Sequence, residues 1–339
     1  MSQQAILEVK DLKTSFHTER GSVTALHGIN FQLKEGEILG IVGESGCGKS
    51  VTSQSILRLY DEKYLVDYEG EINFQGKNLL ELPIDKMQEI RGNDISMIFQ
   101  DPLSSLNPVY TIGFQISESL MIHQKLSKKE ATEKAIELLG LTGISAPEKR
   151  VKQYPHELSG GMRQRVMIAM ALACKPKVLI ADEPTTALDV TIQAQILDLI
   201  LQLNKEYKMS VMFITHDLGV VAEVCTRVIV MYLGQIVEET DVETLFSKPL
   251  HPYTKGLMKS MPTLEGDRSE KLHVIEGAVP SLNNIPKGCR FAERCPFADE
   301  LCKEKPPELM VHNDNHKVRC WHYEKIEKGE VTYDNTINA

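Results

Sequence analysis

The sequence has no long hydrophobic run and no net positive charge, and both absences exclude classes of protein. No stretch of the 339 residues approaches 18 consecutive apolar positions, so we expect no transmembrane helix. The net charge is −9, from 38 basic and 47 acidic residues, which argues against a general nucleic-acid-binding protein. There is also no internal repeat or low-complexity tract, and the ordinary composition excludes a disordered, collagen-like or coiled-coil chain.

A secretory signal is also missing. Residues Met1 to Lys10 contain no basic region followed by an apolar run, so we expect a cytosolic protein. Its seven cysteines would then be reduced and not paired in disulfides. The length predicts about two domains.

Strand and helix patterns alternate along the middle of the chain. Short apolar runs at Glu37–Val42, Val178–Ala181 and Ser210–Thr215 are typical of buried strands. Thr191–Tyr207 is an amphipathic helix, with Ile192, Ile196, Leu199, Ile200 and Leu203 on one stripe. This alternation predicts an α/β fold with a mostly parallel sheet and helices on both faces.

Other local signals mark where elements begin and turn. The first 80 residues or so are mostly strand-like, and a helical pattern extends from about 110 to 175. Ser127 and Glu130 form a capping box at the start of a helix. A hairpin is predicted around Leu233-Gly234.

The segment Gly43 to Ser50, GESGCGKS, matches the phosphate-loop pattern G-x-x-x-x-G-K-[ST] between a buried strand and a helix. Its glycines let backbone N–H groups turn toward phosphate oxygens, and the following helix presents its positive end to the anion. Lys49 would reach the β- and γ-phosphates and Ser50 would bind Mg²⁺. The predicted nucleotide-binding residues here are Gly43, Glu44, Ser45, Gly46, Cys47, Gly48, Lys49, Ser50 and Val51.

Acidic residues end a second apolar strand, VLIADE. Asp182 is predicted to hold Mg²⁺ through water, and Glu183 to polarise the attacking water. His216 ends a further strand and is either a structural histidine or a contact to the γ-phosphate.

The segment Leu158 to Arg165, LSGGMRQR, predicts a second anion site at a helix start. Ser159 is a good N-cap, and Gly160 and Gly161 open the first turn. Because one small protein rarely needs two distant phosphate-binding helix ends, we expect this end to face a nucleotide held by a second subunit.

With these motifs in order, residues 5 to 250 or so resemble the nucleotide-binding subunits of ABC transporters. GESGCGKS looks like Walker A, LSGG like the signature and VLIADEP like Walker B. Gln100 before DPLSSLNP is similar to the Q-loop, Asp189 in TALD to the D-loop, and His216 to the switch histidine. Phe16 falls where the family stacks an aromatic ring on adenine.

The resemblance implies a mechanism. Two subunits would sandwich two ATP molecules, each site using one subunit's Walker motifs and the other's signature. The expected catalytic residues are Glu183, His216, Lys49 and Gln100, with Mg²⁺ held through Ser50, Gln100 and Asp182. The segment after Gln100 is where the family meets its membrane partners.

Four of the seven cysteines, Cys289, Cys295, Cys302 and Cys320, follow the spacing C-x5-C-x6-C-x17-C. Unrelated buried thiols would not cluster in this way, and the close pairs typical of structural zinc are absent. The spacing also differs from common ferredoxin runs. From the residues alone we predict a four-cysteine metal site, with zinc or an iron–sulfur cluster as its occupant.

The C-terminal part is similar to the extension of the oligopeptide/dipeptide importer ATPases, a group that includes nickel importers. HPYTKGLM from His251 and the cysteine-bearing stretch that follows carry this resemblance. Some members hold a [4Fe–4S] cluster on these cysteines, so the resemblance favours that cluster over Zn²⁺. Arg290, Arg294 and Arg319 flank the cysteines and would offset the cluster's negative charge.

The full expectation is an ABC-type P-loop ATPase with an antiparallel β subdomain, a helical signature subdomain at about 101–175, and a small cysteine-rich extension. The nucleotide-binding domain would cover 1–246, the C-terminal domain 247–325 and a polar tail 326–339. Expected partners are a sister ATPase in a heterodimer, two permeases and an extracytoplasmic peptide-binding protein, with no nucleic acid. The protein would lie at the cytoplasmic face of the membrane.

Three alternatives remain open from the sequence. The cargo could be nickel or another solute, because cargo choice lies in other subunits. A soluble ABC ATPase acting on DNA or ribosomes usually has two cassettes or long coiled-coil insertions, which this chain lacks. A redox-sensing regulator would show ATPase activity that changes with cluster state.

Overall fold

The computed structural model describes residues 4–19, 21–101, 105–185, 189–261, 274–313 and 315–330. Its strands are β1 (Ala5–Thr18), β2 (Gly21–Lys34), β3 (Ile38–Val42), β4 (Val66–Phe74), β5 (Lys77–Asn78), β6 (Ile95–Ile98), β7 (Val178–Asp182), β8 (Ser210–Ile214), β9 (Arg227–Tyr232), β10 (Gln235–Asp241), β11 (Met310–Asn313) and β12 (His316–Val318). Strands β1, β2, β4 and β5 form one sheet in the order β2-β1-β4-β5.

The α-helices are α1 (Lys49–Ile56), α2 (Ile84–Ile90), α3 (Ile112–Gln124), α4 (Lys128–Leu141), α5 (Pro147–Arg150), α6 (Gly160–Leu172), α7 (Val190–Tyr207), α8 (Leu218–Val224), α9 (Val242–Ser247), α10 (Pro252–Lys259), α11 (Glu300–Glu304) and α12 (Tyr323–Glu327). Single 3-10 turns occur at Leu79–Glu81, Pro155–Glu157 and Ala292–Arg294. Within the described parts of the chain, no helix has both the length and the apolar character needed to cross a membrane.

One compact unit contains residues 1–8, 32–38 and 72–214. Here β6, β7 and β8 pair in parallel, with Met97 opposite Ile180 and Ile180 opposite Met212. All residues of these three strands are buried, as expected for parallel strands covered on both faces. The α/β prediction is confirmed, and β6 ends two residues before Gln100.

Helices α3, α4 and α6 of the same unit pack around their own core, which includes Ile112, Ile116, Leu139 and Val166. The predicted capping box is confirmed, because the Ser127 hydroxyl accepts from the Glu130 N–H and the Glu130 carboxylate accepts from the Ser127 N–H. Helix α7 buries the predicted stripe, although Ile192 is only half-buried and Leu197 joins the buried residues.

The other compact unit contains residues 9–31, 39–71 and 215–339. In it β3 pairs in parallel with β9, and β9 and β10 form the predicted hairpin around Leu233-Gly234. Strand β12 extends this hairpin by pairing antiparallel with β10, and β11 pairs with β12. The C-terminal segment is therefore joined to this unit by strand pairing.

A fully buried carboxylate anchors the C-terminal segment on β10. Glu238 accepts hydrogen bonds from the backbone N–H groups of Leu250 (2.7 Å) and His251 (3.0 Å). Its Oε1 atom also lies 2.7 Å from Nε2 of His316 on β12. A buried charge is tolerated when such partners surround it, so Glu238 holds the start of the segment and β12 on the same strand.

Candidate nucleotide-binding and cysteine sites

The phosphate loop, Gly43–Ser50, connects β3 to α1 in a conformation that requires glycine. A Cβ atom on Gly43, whose φ is +150°, would lie 2.3 Å from the Met231 carbonyl oxygen. A Cβ atom on Gly48, φ +106°, would lie 2.9 Å from Leu26. Both glycines let the backbone pass close to neighbouring residues, so the loop can fold over the start of α1.

Lys49 lies at the centre of this loop and is 6% exposed. Its ammonium donates to the carbonyl oxygens of Gly43 (2.7 Å) and Glu44 (3.1 Å). Ser50 is half-buried in the first turn of α1, and Ser45 and Gly46 are exposed at the rim. The loop thus gathers a cation, a hydroxyl and a helix start, which is the donor set that a phosphate chain requires.

Cys47, inside the loop, is 1% exposed. Burial raises the pKa of its thiol, so this cysteine stays protonated and packs as a small apolar residue. Its carbonyl oxygen accepts from the Gly234 N–H at 2.9 Å. The tip of the β9–β10 hairpin is therefore hydrogen-bonded to the loop.

Phe16, the predicted adenine-stacking residue, is half-buried on β1. Its ring meets that of Tyr60 edge to face, with the centroids 4.9 Å apart. Two residues earlier on the same strand face, the Thr14 hydroxyl is 3.0 Å from the Ser55 hydroxyl on α1. This contact brings the strand that carries Phe16 against the helix that follows the phosphate loop.

The acidic strand end belongs to the other compact unit. Asp182, the last residue of β7, is 2% exposed, and Glu183 adopts a left-handed conformation with φ of +49°. The Glu183 N–H donates to the Ile214 carbonyl oxygen (2.9 Å), and its carboxylate accepts from the Gln100 amide (2.8 Å). A left-handed glutamate is uncommon and is maintained only by surrounding contacts.

The oxygen ligands predicted for Mg²⁺ suit that ion. Asp182 offers a carboxylate, Ser50 a hydroxyl and Gln100 an amide oxygen, and hard divalent cations prefer such groups. Asp182 and Gln100 belong to one compact unit and Ser50 to the other.

The signature segment begins α6. Ser159 caps the helix, its hydroxyl accepting from the Met162 N–H at 3.3 Å. Ser159 and Gly160 are exposed and Gly161 is half-buried, so the helix start is open to solvent. Asp189 caps α7 in the same way, accepting from the Ile192 N–H at 3.0 Å. Thr186, Ala187 and Leu188 of the predicted D-loop lie outside the described residues.

Two further residues of α6, Gln164 and Arg165, have no role predicted from the sequence but form hydrogen bonds to neighbouring parts of the same unit. The Gln164 amide, 1% exposed, donates to the Pro184 carbonyl oxygen at 2.5 Å, one residue after Glu183. Arg165 donates to the carbonyl oxygens of Thr142 (3.0 Å) and Gly143 (3.1 Å). It also donates to Gln195 of α7. In the sequence, the signal for these two residues is that they are polar positions within an otherwise apolar helix, MRQRVMIAM.

His216 is exposed and follows β8. The next residue, Asp217, caps α8 by accepting from the Gly219 N–H at 2.8 Å. This cap fixes the backbone beside His216.

The four clustered cysteines line one cavity, although they come from separate parts of residues 289–320, which we call the cysteine segment. Cys289 and Cys295 flank the 3-10 turn Ala292–Arg294, Cys302 lies on α11 and Cys320 follows β12. The Cys289 N–H donates to the Cys302 carbonyl oxygen at 2.7 Å. In the present side-chain positions the cavity has a volume of about 10 Å³, roughly one water molecule.

The spacing of the thiols bears on what they can hold. In a tetrahedral Zn²⁺ site with bonds of about 2.3 Å, sulfur atoms lie about 3.8 Å apart. Within the described residues, the one set of three or more potential ligand atoms mutually within 4.8 Å is Asp299, Cys302 and His322. The four sulfur atoms are therefore spread more widely than a single zinc ion requires.

Burial keeps these thiols protonated in the absence of a metal. It raises the pKa of Cys295 and of Cys320 to about 12 and that of Cys302 to about 11. Thiolates are the metal-binding form, so a bound metal would release these protons.

The three arginines beside the cysteines each have a hydrogen-bond partner outside the group of four thiols. Arg294 pairs with Glu44 of the phosphate loop, at 2.6 Å and 3.0 Å. Arg290 donates to the Leu233 carbonyl oxygen at the hairpin tip, and Arg319 to Ile236 of β10 at 2.8 Å. Arg319 retains an electrostatic influence on Cys289, whose pKa it lowers against the larger effect of burial.

A phosphate loop, an acidic strand end and an exposed signature helix together define a nucleotide-hydrolysing ATPase of the P-loop class. Residues 26–186 match the family described as ABC transporter, and residues 237–302 match the C-terminal region of the oligopeptide/dipeptide transporters. The chain belongs to the ATP-binding subunits of the ABC transporter family, and the resemblance stated from its motifs is confirmed.

Relatives match almost the whole chain. A protein of Sinorhizobium fredii named "Probable peptide ABC transporter ATP-binding protein" is 57% identical over 95% of this chain and 96% of its own length. The oligopeptide transport ATP-binding protein OppD of Bacillus subtilis is 56% identical over 93% and 88%, respectively. A dimeric ATP-binding cassette solved in a post-hydrolysis state with ADP and Pi has a TM-score of 0.64 and 30% identity, over 70% of this chain and 98% of that one.

Proposed function

We propose that this chain is the ATPase subunit of a bacterial importer that takes up oligopeptides or dipeptides. The observation that carries this proposal is the match of nearly the full chain to peptide transport ATP-binding proteins, together with the transporter-specific C-terminal match at residues 237–302. An ordinary cassette relative covers only 70% of the chain, so the C-terminal part distinguishes this group. Nickel or another solute is the second candidate cargo.

In the proposed mechanism, Lys49 and the loop N–H groups bind the β- and γ-phosphates, and Phe16 stacks on adenine. Ser50, Gln100 and Asp182 would hold Mg²⁺, which would neutralise phosphate charge. Glu183 accepts a proton from the attacking water, and His216 stabilises charge on the γ-phosphate. The left-handed backbone at Glu183 and its bond to Gln100 support this role, because they fix the carboxylate at the end of β7, next to Asp182.

The decisive variant is Glu183→Gln, which keeps the size of the side chain and removes its basicity. We expect ATP hydrolysis to fall by about 100- to 10,000-fold, the usual contribution of a general base, while ATP binding is retained. Hydrolysis is measured by phosphate release and binding by a fluorescent ATP analogue. Glu69→Gln is the control, since Glu69 is 65% exposed on β4. A Glu183→Gln protein that hydrolyses ATP within threefold of the parent rate would contradict the assignment.

Two ATPase subunits would act together, this chain presenting Ser159, Gly160, Gly161 and Asp189 to the nucleotide of its partner. The exposure of the α6 start supports this arrangement, as does the dimeric cassette among the similar structures. We propose that the second subunit is a sister ATPase, related to this chain but not identical to it. Two permeases and an extracytoplasmic peptide-binding protein would complete the importer at the cytoplasmic face of the membrane.

An exposed apolar surface supports contact with permeases. Val109, Tyr110 and Phe114, 70%, 46% and 38% exposed, lie within 14 residues of Gln100. Such a patch is typical of a protein-binding site. Affinity purification from solubilised membranes should recover two multi-span proteins, a second ATPase and a solute-binding protein. Recovery with ribosomes or DNA-repair proteins and no membrane protein would overturn the transporter proposal.

We propose that the four cysteines hold a [4Fe–4S] cluster, with Zn²⁺ as the alternative. Their common cavity supports a shared ligand, and their wide spacing favours a cluster over a single ion, although the side chains must turn outward to admit it. A cluster would make the extension rigid. Protein isolated without oxygen should contain iron and acid-labile sulfide in equal amounts. Zinc without sulfide would establish the alternative.

A further inference from the structure

An ion pair joins the cysteine segment to the phosphate loop. The Arg294 guanidinium meets the Glu44 carboxylate in a two-bonded arrangement, Nη1 to Oε2 at 2.6 Å and Nη2 to Oε1 at 3.0 Å. The Arg294 side chain is 3% exposed and that of Glu44 is 30% exposed. Paired, bidentate and largely buried, this contact belongs to the strong class of charge-assisted hydrogen bonds.

The other donors of Arg294 are also engaged. Its Nε donates to the Glu276 carbonyl oxygen (3.0 Å), Nη1 to the Tyr232 hydroxyl (3.4 Å) and Nη2 to the Ile275 carbonyl oxygen (3.2 Å). With the two bonds to Glu44, all five N–H groups of the guanidinium have acceptors. This network of five hydrogen bonds orients the guanidinium, with one edge toward Glu44.

The backbone of Glu44 is held from the same side. Its N–H donates to the Tyr253 hydroxyl at 2.7 Å, and Tyr253 is fully buried at the start of α10. The rings of Tyr253, Tyr232 and Phe291 pack together with centroids 4.8 to 5.4 Å apart. Both the side chain and the backbone of this loop residue thus depend on residues beyond position 231.

The charge of Glu44 is unfavourable for nucleotide binding. A carboxylate inside a loop that receives a triphosphate repels it, and two like charges a few ångströms apart near a protein surface interact by several times the thermal energy. Arg294 neutralises this carboxylate and holds it toward the cysteine segment. An arginine is suited to the task because its planar fork fixes the carboxylate in two places.

We propose that Arg294 is a positioning residue of the nucleotide site, acting through Glu44 to keep the loop open to phosphate in both shape and charge. This inference rests on the proposed role of the loop in binding ATP. Arg294 touches no reacting atom, so it should affect the affinity for nucleotide and leave the chemical step unchanged.

The test compares Arg294→Gln, Glu44→Gln and the double variant by the dissociation constant of a fluorescent ATP analogue. We expect Arg294→Gln to weaken binding about 10-fold, because the carboxylate becomes unpaired near the phosphates. The double variant removes that carboxylate and should therefore bind several-fold more tightly than Arg294→Gln. In hydrolysis assays KM should rise with the dissociation constant, while kcat stays within threefold.

Lys303→Met is the matched control, since it removes a cation of the same segment from an exposed ion pair with Glu300. It should leave the dissociation constant unchanged. Unchanged binding by Arg294→Gln, or a double variant as weak as the single one, would overturn the inference.

A second comparison guards against misfolding of the buried Arg294 variants. Glu44→Asp keeps the negative charge but is too short to pair with both nitrogens, whereas Glu44→Gln removes the charge. We expect the aspartate variant to bind the analogue several-fold more weakly than the glutamine variant, and equal binding would contradict the inference. If the parent protein itself binds no nucleotide, the proposed function fails instead.

Discussion

The phosphate loop and the cysteine segment are built in opposite ways. The loop is eight consecutive residues whose shape follows from glycines at fixed positions, as the Cβ clashes at Gly43 and Gly48 demonstrate. The cysteine segment collects its thiols from a 3-10 turn, a short helix and a strand end. A site of the first kind carries its geometry within its own sequence, while a site of the second kind depends on the packing of the surrounding fold.

The largest effect that separates the two regions should come from Lys49→Ala. Removing the ammonium takes away the main cation of the loop, and loss of one such electrostatic contact commonly costs a factor of about 100 to 1,000 in rate. We expect ATP hydrolysis to fall by that amount while the content of iron or zinc, proposed to lie at the four cysteines, is unchanged. Loss of metal along with activity would mean that the two regions do not act separately.

The converse variant is Cys295→Ser, which removes one of the four thiols. We expect the bound metal to fall to less than half of its parent value, because a hydroxyl is a poor substitute for a thiolate at a soft metal site. Cys174→Ser is the control, since Cys174 lies outside the segment and its thiol only donates weakly to the Ser119 carbonyl oxygen. Metal analysis that gave the same content for both variants would contradict a four-cysteine site.

The same contrast explains how far the sequence could be interpreted. The strand, loop and helix around Lys49, the acidic end of β7 and the capping box at Ser127 were predicted correctly because each depends on neighbouring residues. The Gln164–Pro184 bond joins residues 20 apart, and the Arg294–Glu44 pair joins residues 250 apart. No local pattern specifies such a partner, so the sequence suggests for Arg294 only a role in offsetting cluster charge.

The attachment of the C-terminal segment to β10 can be weakened at Glu238. Glu238→Gln removes the buried charge that three partners surround, and breaking a buried charged pair typically destabilises a protein by about 3 kcal/mol. We expect a loss of that size in the free energy of unfolding, measured by urea denaturation. Lys13→Met, which breaks an exposed pair, should change it far less, because water screens such a pair. Equal losses would show that Glu238 is not an anchor.

The smallest effect should come from His27, which lies beside the tip of the β9–β10 hairpin. Its N–H donates to Gly234 of the hairpin tip at 3.0 Å, and burial, followed by repulsion from Arg290, lowers its pKa to about 4. In the unfolded chain a histidine titrates near pH 6.5. The folded protein therefore binds fewer protons between these values, so stability is full above about pH 6.5 and declines as the pH falls toward 4.

Because the ring is only about half-buried, we expect this histidine to contribute about 1 kcal/mol of the stability lost between pH 7 and pH 4. His27→Gln cannot gain a proton, and its amide can still donate to the Thr24 carbonyl oxygen that the ring contacts at 3.0 Å. Urea denaturation across this range should show a flatter pH dependence for the variant. An unchanged slope would mean that the folded protein tolerates protonation of His27 beside Arg290.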